Sequence, residues 1–309
     1  MPFRRPAIRW PNGARLAIVP GVAFETWPED LGRADSLQNQ DRRPIPKDAP
    51  FNTDLAVVTD REYGERVGIY RLLDLFDRTG VRTTFYFNGI NAERFPELTR
   101  QIDVAGHEVA SENWIHDYSF MKTRDQEDTD QKKTVAAIQR ATGKHPGGYL
   151  STGVRPSLAT PELAAANGYT YWMDPQHEDL PYTLKAGGKR LVVINYSLSL
   201  NDYTTYGKDR TPRELGELWH DTVEYLHREG ERYPSLVTWG MHPFLSGRPF
   251  RAKVLEEFIV WAKSLPGVWF ARTRDIAEWW RAEYPDHLVE EWPHFTERGV
   301  PYREVRSGR

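Results

Sequence analysis

The chain has 309 residues, of which 39% are hydrophobic and 28% charged, with a net charge of −3. This charge provides no positive field for nucleic acid or an anionic membrane, so we predict neither as a partner. The absence of cysteine excludes disulfides, thiolate metal ligands and a cysteine nucleophile. The start of the chain lacks the apolar core of a signal peptide, and no run of about 18 apolar residues follows. We therefore expect a cytoplasmic protein without a membrane span.

Short apolar runs alternate with helical patterns along the chain. Residues 16–24 are typical of a buried strand, and residues 65–79 have apolar side chains at helical spacing, with Gly80 as a plausible cap. Further strands are predicted at residues 82–87, 107–111, 148–150, 169–173, 191–197, 235–242 and 268–271. Further helices are predicted before Gly106 and over residues 125–141, 160–168, 211–230, 251–265 and 275–283, two of them opened by Thr160-Pro161 and Thr211-Pro212. This alternation predicts an α/β fold with a parallel sheet, closed as a β/α barrel or open and doubly wound.

No repeat or linker divides the sequence, so we predict one domain over residues 1–309. Residues 28–62 lack periodicity and are rich in proline, aspartate and arginine. A loop of this length inside a domain is usually functional or disordered, and its place after the first strand suggests that it covers a barrel mouth. Residues 284–309 are predicted to form a C-terminal extension that wraps the barrel or reaches a partner subunit.

Acidic and imidazole side chains follow two of the predicted strands, where β/α barrels place their catalytic groups. Glu25 ends the first strand and is a candidate base or metal ligand, or simply an exposed acid at the start of a loop. Glu112 and His116 follow the strand 107–111 at i, i+4 spacing, which would put both on one face of a helical turn. A carboxylate and an imidazole together suit Zn²⁺, although a surface ion pair has the same spacing.

His242 ends the predicted strand 235–242 and precedes a proline and a Ser-Gly turn, so we predict that it acts as a general acid rather than as a core histidine. Arg155 follows a strand in a turn and is a candidate for binding a carboxylate or orienting an acid, or simply an arginine of a surface loop. Asp179, Asn201 and Asp202 also follow strands and are candidates for the mouth of the site.

Three stretches carry a resemblance that extends roughly from residue 14 to residue 281: residues 22–25, 83–89 and 106–116. Residues 168–174, 179–182, 196–202 and 242–247 add to it, in the same order. Together they resemble the polysaccharide deacetylase (NodB-homology) family, in particular its intracellular branch of allantoinase-like and cyclic-imide-hydrolase-like enzymes. The resemblance implies a distorted (β/α) barrel with about seven parallel strands, and an assembly of several copies of the chain.

Extracellular members of that family remove N-acetyl groups with a metal held by one aspartate and two histidines, a second aspartate as base and a late histidine as acid. By this resemblance, Glu25 matches the first acidic motif, His116 the second metal histidine and His242 the late histidine. One carboxylate of the first motif is replaced by Thr26, and the first metal histidine by Glu112. Two cofactor predictions stay open: a divalent metal such as Zn²⁺ held by Glu25, Glu112 and His116, or hydrolysis without metal.

The resulting prediction is a hydrolase of a non-peptide C–N bond in a small amide, cyclic imide or ureide. Glu25 or Glu112 would take a proton from water, His242 would protonate the leaving nitrogen, and backbone N–H groups near Ser151 with Arg155 would stabilise the oxyanion. Trp27 and Trp114 suit a flat substrate but also plain packing. Two alternatives are an N-deacetylase of an amino sugar and a degenerate barrel that binds a ligand without catalysis.

Overall fold

The structure is a computed structural model that describes residues 8–33, 35–38, 48–206, 211–286 and 289–291. Its central feature is a curled ten-stranded sheet with helices packed against it. The strands are β1 (Leu16–Phe24), β2 (Thr84–Phe87), β3 (Glu108–Ser111), β4 (Gly148–Tyr149), β5 (Tyr171–Trp172), β6 (Tyr182–Ala186), β7 (Lys189–Val193), β8 (Ser235–Met241), β9 (Val268–Phe270) and β10 (Val289–Glu291). The α-helices are α1 (Leu55–Tyr63), α2 (Ile69–Thr79), α3 (Gly89–Arg94), α4 (Pro96–Val104), α5 (Arg124–Thr142), α6 (Thr160–Ala166), α7 (Asp202–Tyr206), α8 (Pro212–Glu229), α9 (Pro243–Ser246), α10 (Pro249–Ser264) and α11 (Thr273–Glu283).

The sheet is mostly parallel, with the strand order β10-β6-β7-β5-β4-β3-β2-β1-β8 and with β9 paired to the start of β1. Only the β6–β7 pair among the described ladders is antiparallel. Because parallel strands end at the same edge, the residues that follow β1, β3, β4, β7 and β8 meet at one end of the barrel. The predicted distorted (β/α) barrel is therefore confirmed.

A few hydrogen bonds, rather than a strand ladder, join β8 to the chain around β6 and β7 in the described structure. Thr238 Oγ1 donates to the carbonyl of Asn195 at 2.7 Å and accepts from the N–H of Ser197 at 3.1 Å. The N–H of Leu236 donates to the carbonyl of Asp179 at 3.2 Å. The barrel is distorted because these few bonds replace a regular strand pair at this position.

Strand β1 is buried along its whole length. Leu16 and Ile18 belong to the apolar cluster that includes residues of α2, α8 and α10. Ala17 and Val19 belong to a second cluster on the other face of the sheet. A strand covered on both faces has a continuous apolar run instead of an alternating one. This double coverage explains why residues 16–24 could be assigned with the bounds that the structure shows.

Most of the predicted strands and helices are confirmed within a few residues. Gly80 ends α2 in the left-handed region with φ 64°, and Thr211 caps α8 in a capping box with Glu214. The predicted N-cap at Thr160 is wrong, because α6 begins at Thr160 and the Thr160 hydroxyl donates to the Glu127 carboxyl at 2.5 Å.

The structure adds elements that were not predicted, among them α1, β6 and the short helices α3, α7 and α9. Helix α1 lies at the end of the predicted loop 28–62, and a π-helical turn (Gly64–Gly68) joins it to α2. Strands β6 and β7 form a hairpin across Gly187 and Gly188, which both have positive φ. Residues 39–47 of the loop and 292–309 of the extension lie outside the described residues, while 289–291 pair with β6. No helix in the described chain has the length and apolar character needed to cross a membrane.

Candidate active site

A cavity of about 390 Å³ opens where the parallel strands end. This volume is in the range typical of small-molecule sites. The cavity is lined by eight of the ten residues predicted as site residues: Glu25, Trp27, Glu112, His116, Ser151, Arg155, Asn201 and His242. Residues Leu37 and Gln38 of the loop that follows β1 also line it, as expected for a loop at the barrel mouth.

The Glu25 carboxylate lies next to two imidazoles. Its Oε1 is 3.5 Å from His116 Nε2 and 3.6 Å from His242 Nε2. Its Oε2 is buried and has no hydrogen-bond partner among the described residues. Burial alone would raise the pKa of Glu25, but the charges of His116, His242 and Arg61 outweigh it and lower that pKa below its usual value. We therefore treat Glu25 as ionised at neutral pH.

The pKa of Glu112 is shifted in the opposite direction. Glu112 follows β3, donates its backbone N–H to the carbonyl of Phe87 at 2.8 Å, and is only 1% exposed. Burial, and then the neighbouring Glu25 carboxylate, raise the pKa of Glu112 well above its usual value. Two buried carboxyl groups whose pKa values are shifted apart in this way are typical of an acid/base site.

His242 is held by a buried carboxylate that was considered in the sequence only as a mouth residue. The Nδ1 of His242 is 2.6 Å from Asp202 Oδ1, and its backbone N–H donates to Asp202 Oδ2 at 2.9 Å. The Ser246 hydroxyl also donates to Asp202 Oδ2, at 2.6 Å. Burial lowers the pKa of His242, but the charges of Glu25 and Asp202 outweigh burial and raise this pKa to about 10. At neutral pH, His242 is therefore an imidazolium that presents its Nε2 to Glu25.

His116 reaches the cavity by a different route from the predicted helical turn. Residues 112–118 form bends rather than a helix, and the N–H of His116 donates to the carbonyl of Thr26 at 2.8 Å. The expectation that Glu112 and His116 share one face of a helix is wrong, because each is held by a separate backbone bond to another strand end. Burial is the main cause that lowers the pKa of His116, so this imidazole is neutral at pH 7.

The residues present do not converge as a three-ligand metal centre. Thr26, which stands where the resemblance implies a second carboxylate, is outside the cavity lining and bonds to Glu65, Asn91 and Arg94. The ligand atoms of Glu25, Glu112 and His116 do not all lie within 4.8 Å of one another. In the described part of the chain, that criterion is met by His220, Asp221 and Glu224, which are exposed on α8 and do not line the cavity.

Two predicted substrate-binding residues lie elsewhere. Trp114 is not in the cavity wall, because its ring packs between the core and α5, with Lys133 Nζ 3.6 Å from the ring centroid. Asp179 lines a separate cavity of about 180 Å³ on the far side of Tyr196. Its backbone carbonyl accepts a hydrogen bond from the N–H of Leu236 in β8. Both predictions are wrong for the same reason: a position near a strand end does not determine the side to which the following chain turns.

The wall of the cavity includes aromatic residues that were not predicted. Tyr118, Tyr196 and Tyr203 line it together with Trp27. Tyr196 is held by a hydrogen bond from Asn201 Nδ2 to its hydroxyl oxygen, at 2.7 Å. Sequence periodicity carries no signal for these rings, because Tyr118 and Tyr196 lie outside regular secondary structure and Tyr203 lies on the five-residue helix α7.

Replacing Gly240 by alanine is expected to disrupt this wall. A Cβ at this position would lie 1.5 Å from Tyr196 Oη and 3.0 Å from Asn201 Nδ2. Overpacking of this kind typically costs about 1–3 kcal/mol of the free energy of unfolding, which denaturant titration of Gly240→Ala measures. The added substitution Tyr196→Phe removes the clashing oxygen and should restore part of the loss. Equal stability of Gly240→Ala and the unmodified protein would contradict this packing.

Comparison with known proteins supports the chemistry that the cavity suggests. Residues 60–172 match the family described as Polysaccharide deacetylase. The crystal structure of a probable polysaccharide deacetylase from Pseudomonas aeruginosa PAO1 superposes with a TM-score of 0.77 at 30% identity, covering 89% of this chain and 94% of that one. The chain belongs to the polysaccharide deacetylase family. It is therefore a hydrolase that acts on non-peptide C–N bonds, as predicted.

Two further relatives are an allantoinase and a peptidoglycan deacetylase. The crystal structure of Puue allantoinase has a TM-score of 0.78 at 29% identity, covering 89% of this chain and 93% of that one. The peptidoglycan deacetylase of Helicobacter pylori is 27% identical over 70% of this chain and 84% of its own length. The chain is thus similar both to an allantoinase and to a peptidoglycan deacetylase.

Proposed function

We propose that the protein hydrolyses a C–N bond in a small cyclic amide, imide or ureide, with Glu25 as base and His242 as acid. This proposal rests on one observation. At a cavity of about 390 Å³, the Glu25 carboxylate faces the His242 imidazolium, and Oε1 and Nε2 are 3.6 Å apart. A degenerate binding barrel would not need this pair, since both groups are buried and charged.

Glu25 activates the attacking water. Its carboxylate lines the cavity and has a lowered pKa, so a water held beside it in the cavity has a strong acceptor for its proton. The water oxygen attacks the substrate carbonyl and forms a tetrahedral oxyanion while Glu25 takes the proton. The protonated carboxyl group of Glu112 and the backbone N–H of Gly153 are the donors that we assign to this oxyanion.

His242 completes the reaction as the acid. It donates the Nε2 proton to the leaving nitrogen as the C–N bond breaks, and Asp202 stabilises the imidazolium and fixes the orientation of the ring through Nδ1. Glu25 then holds one proton and His242 lacks one. Proton transfer between the two neighbouring groups restores the starting state.

The proposed reaction contains no step through a metal, because the candidate ligand atoms do not converge. We expect turnover to survive exhaustive chelation of protein purified without affinity metal, with metal content measured by mass spectrometry. Added Zn²⁺ should not raise the rate. Loss of turnover on chelation, with recovery on addition of metal, would contradict this part of the proposal and would make Glu25, Glu112 and His116 ligands.

Deacetylation of an amino sugar is the second candidate, and the deacetylase relatives favour it. It uses the same base and acid on an acyclic amide. A parallel assay of hydantoin, succinimide, allantoin and N-acetylglucosamine oligomers separates the two, since we expect ring opening to dominate. The single-domain organisation, the homo-oligomer and the cytoplasmic location stay predictions.

A further inference from the structure

Arg155 provides a positive charge at the cavity mouth. Its side chain is exposed and lines the cavity, and among the described residues it makes no ion pair with a carboxylate. Its contacts are instead aromatic: the guanidinium carbon lies 4.9 Å from the ring centroid of Tyr118 and 5.9 Å from that of Phe120. An aromatic face behind a guanidinium leaves its N–H edge available to a ligand.

The turn that carries Arg155 is built in an uncommon conformation. Gly153 has φ 62° and Val154 has φ 54°, a left-handed conformation that β-branched residues rarely adopt. The turn is anchored at Ser151, whose N–H and hydroxyl donate to Asp174 at 2.8 and 2.6 Å, and whose carbonyl accepts from the N–H of Val154 at 2.8 Å. Unusual backbone geometry of this kind persists where the surroundings enforce it, commonly at functional sites.

The charges at the cavity floor determine what Arg155 can recognise. Glu25 and Glu112 both line the cavity, so an acidic group of a ligand placed at the floor would meet two carboxyl groups. His242 is already paired with Glu25 and Asp202. A negative group on a ligand is therefore stabilised at the mouth, beside Arg155, and not beside the reacting carbonyl.

We propose that Arg155 binds a carboxylate substituent of the substrate, so that the preferred substrates are ring amides, imides or ureides that carry one acidic side chain. This inference rests on the proposed function and specifies its substrate class. The planar guanidinium, which lies over the Tyr118 ring, matches a carboxylate by two parallel N–H···O bonds. Arg155 is a specificity residue in this account and takes no part in proton transfer.

The test compares two ligands of equal shape, hydantoin-5-acetate and hydantoin-5-acetamide, which differ in charge. Dissociation constants are measured by calorimetry and turnover is measured in parallel. We expect the unmodified protein to bind the acetate about 10–100-fold more tightly, as a charge-assisted hydrogen-bonded pair typically gives. Arg155→Gln should abolish that preference, Arg155→Lys should keep part of it, and the exposed control Arg100→Gln should keep all of it.

The outcomes separate this inference from the proposed function. Equal binding of the two ligands by the unmodified protein, no binding of either, or an unchanged preference in Arg155→Gln would overturn the role of Arg155. Failure to open either ring, with the charge preference intact, would count against the proposed function and leave the anion site standing. Thermal unfolding of each variant confirms that the exposed substitution leaves the fold intact.

Discussion

Replacing Glu25 by glutamine is expected to lower kcat by about 10²–10⁴-fold, the usual contribution of a general base. The amide keeps the shape of the carboxylate but cannot accept a proton from water. KM should change less than kcat, because Glu25 acts on the water rather than on the bound ring. Steady-state kinetics on the best ring substrate measure both parameters.

The matched control is Glu112→Gln at the neighbouring carboxyl group. Burial and the Glu25 charge raise the pKa of Glu112 and so favour its uncharged form, for which an amide that also donates a hydrogen bond is a close substitute. We expect Glu112→Gln to keep far more activity than Glu25→Gln. The reverse order, or equal losses in both variants, would mean that the base has been assigned to the wrong carboxyl group.

Replacing His242 by glutamine is expected to cause the second large loss, also about 10²–10⁴-fold in kcat, because the leaving nitrogen loses its proton donor. The deficit should depend on the leaving group. An imide nitrogen departs more readily as an anion than an amide nitrogen, so the loss should be smaller for succinimide than for a simple lactam. A deficit of the same size for both would indicate a structural role for His242.

The pH profile tests the same residue through its partner. The Asp202 carboxylate helps to raise the pKa of His242 to about 10, and catalysis needs the imidazolium. Activity should therefore be sustained into the alkaline range and fall as pH rises through that pKa. Asp202→Asn removes a charge that raises this pKa, so the alkaline fall should move to lower pH. An alkaline limb that does not move would contradict the pairing.

Much of the fold could be predicted because its periodicity has a direct physical cause. The apolar run at residues 16–24 reflects a strand covered on both faces, and Gly80 and Thr211 mark helix ends by backbone and side-chain chemistry. The β6–β7 hairpin was missed although a Gly-Gly pair between two apolar runs is a signal for a two-residue turn. Helix α1 was missed because the loop before it lacks periodicity. The N-cap is Asp54, whose side chain accepts from the N–H groups of Ala56 and Val57, but no apolar pattern marked it as a helix start.

The site was predictable where a residue directly follows a strand, as Glu25 and His242 do. It was not predictable where residues from separate segments meet. The Asp202 partner lies 40 positions from His242, and the protonation of Glu112 depends on the three-dimensional closeness of Glu25. Trp114 follows Glu112 by two residues yet packs toward α5, because the chain bends after β3 instead of forming the expected helical turn.

The most direct test of the central claim is turnover by the unmodified protein and by Glu25→Gln, side by side, on a five-membered ring ureide or imide, with the product identified by mass spectrometry. We predict that the unmodified protein adds one water and opens the ring, and that Glu25→Gln does so far more slowly. Equal rates in the two proteins, or deacetylation of an N-acetylated sugar without any ring opening, would contradict the account.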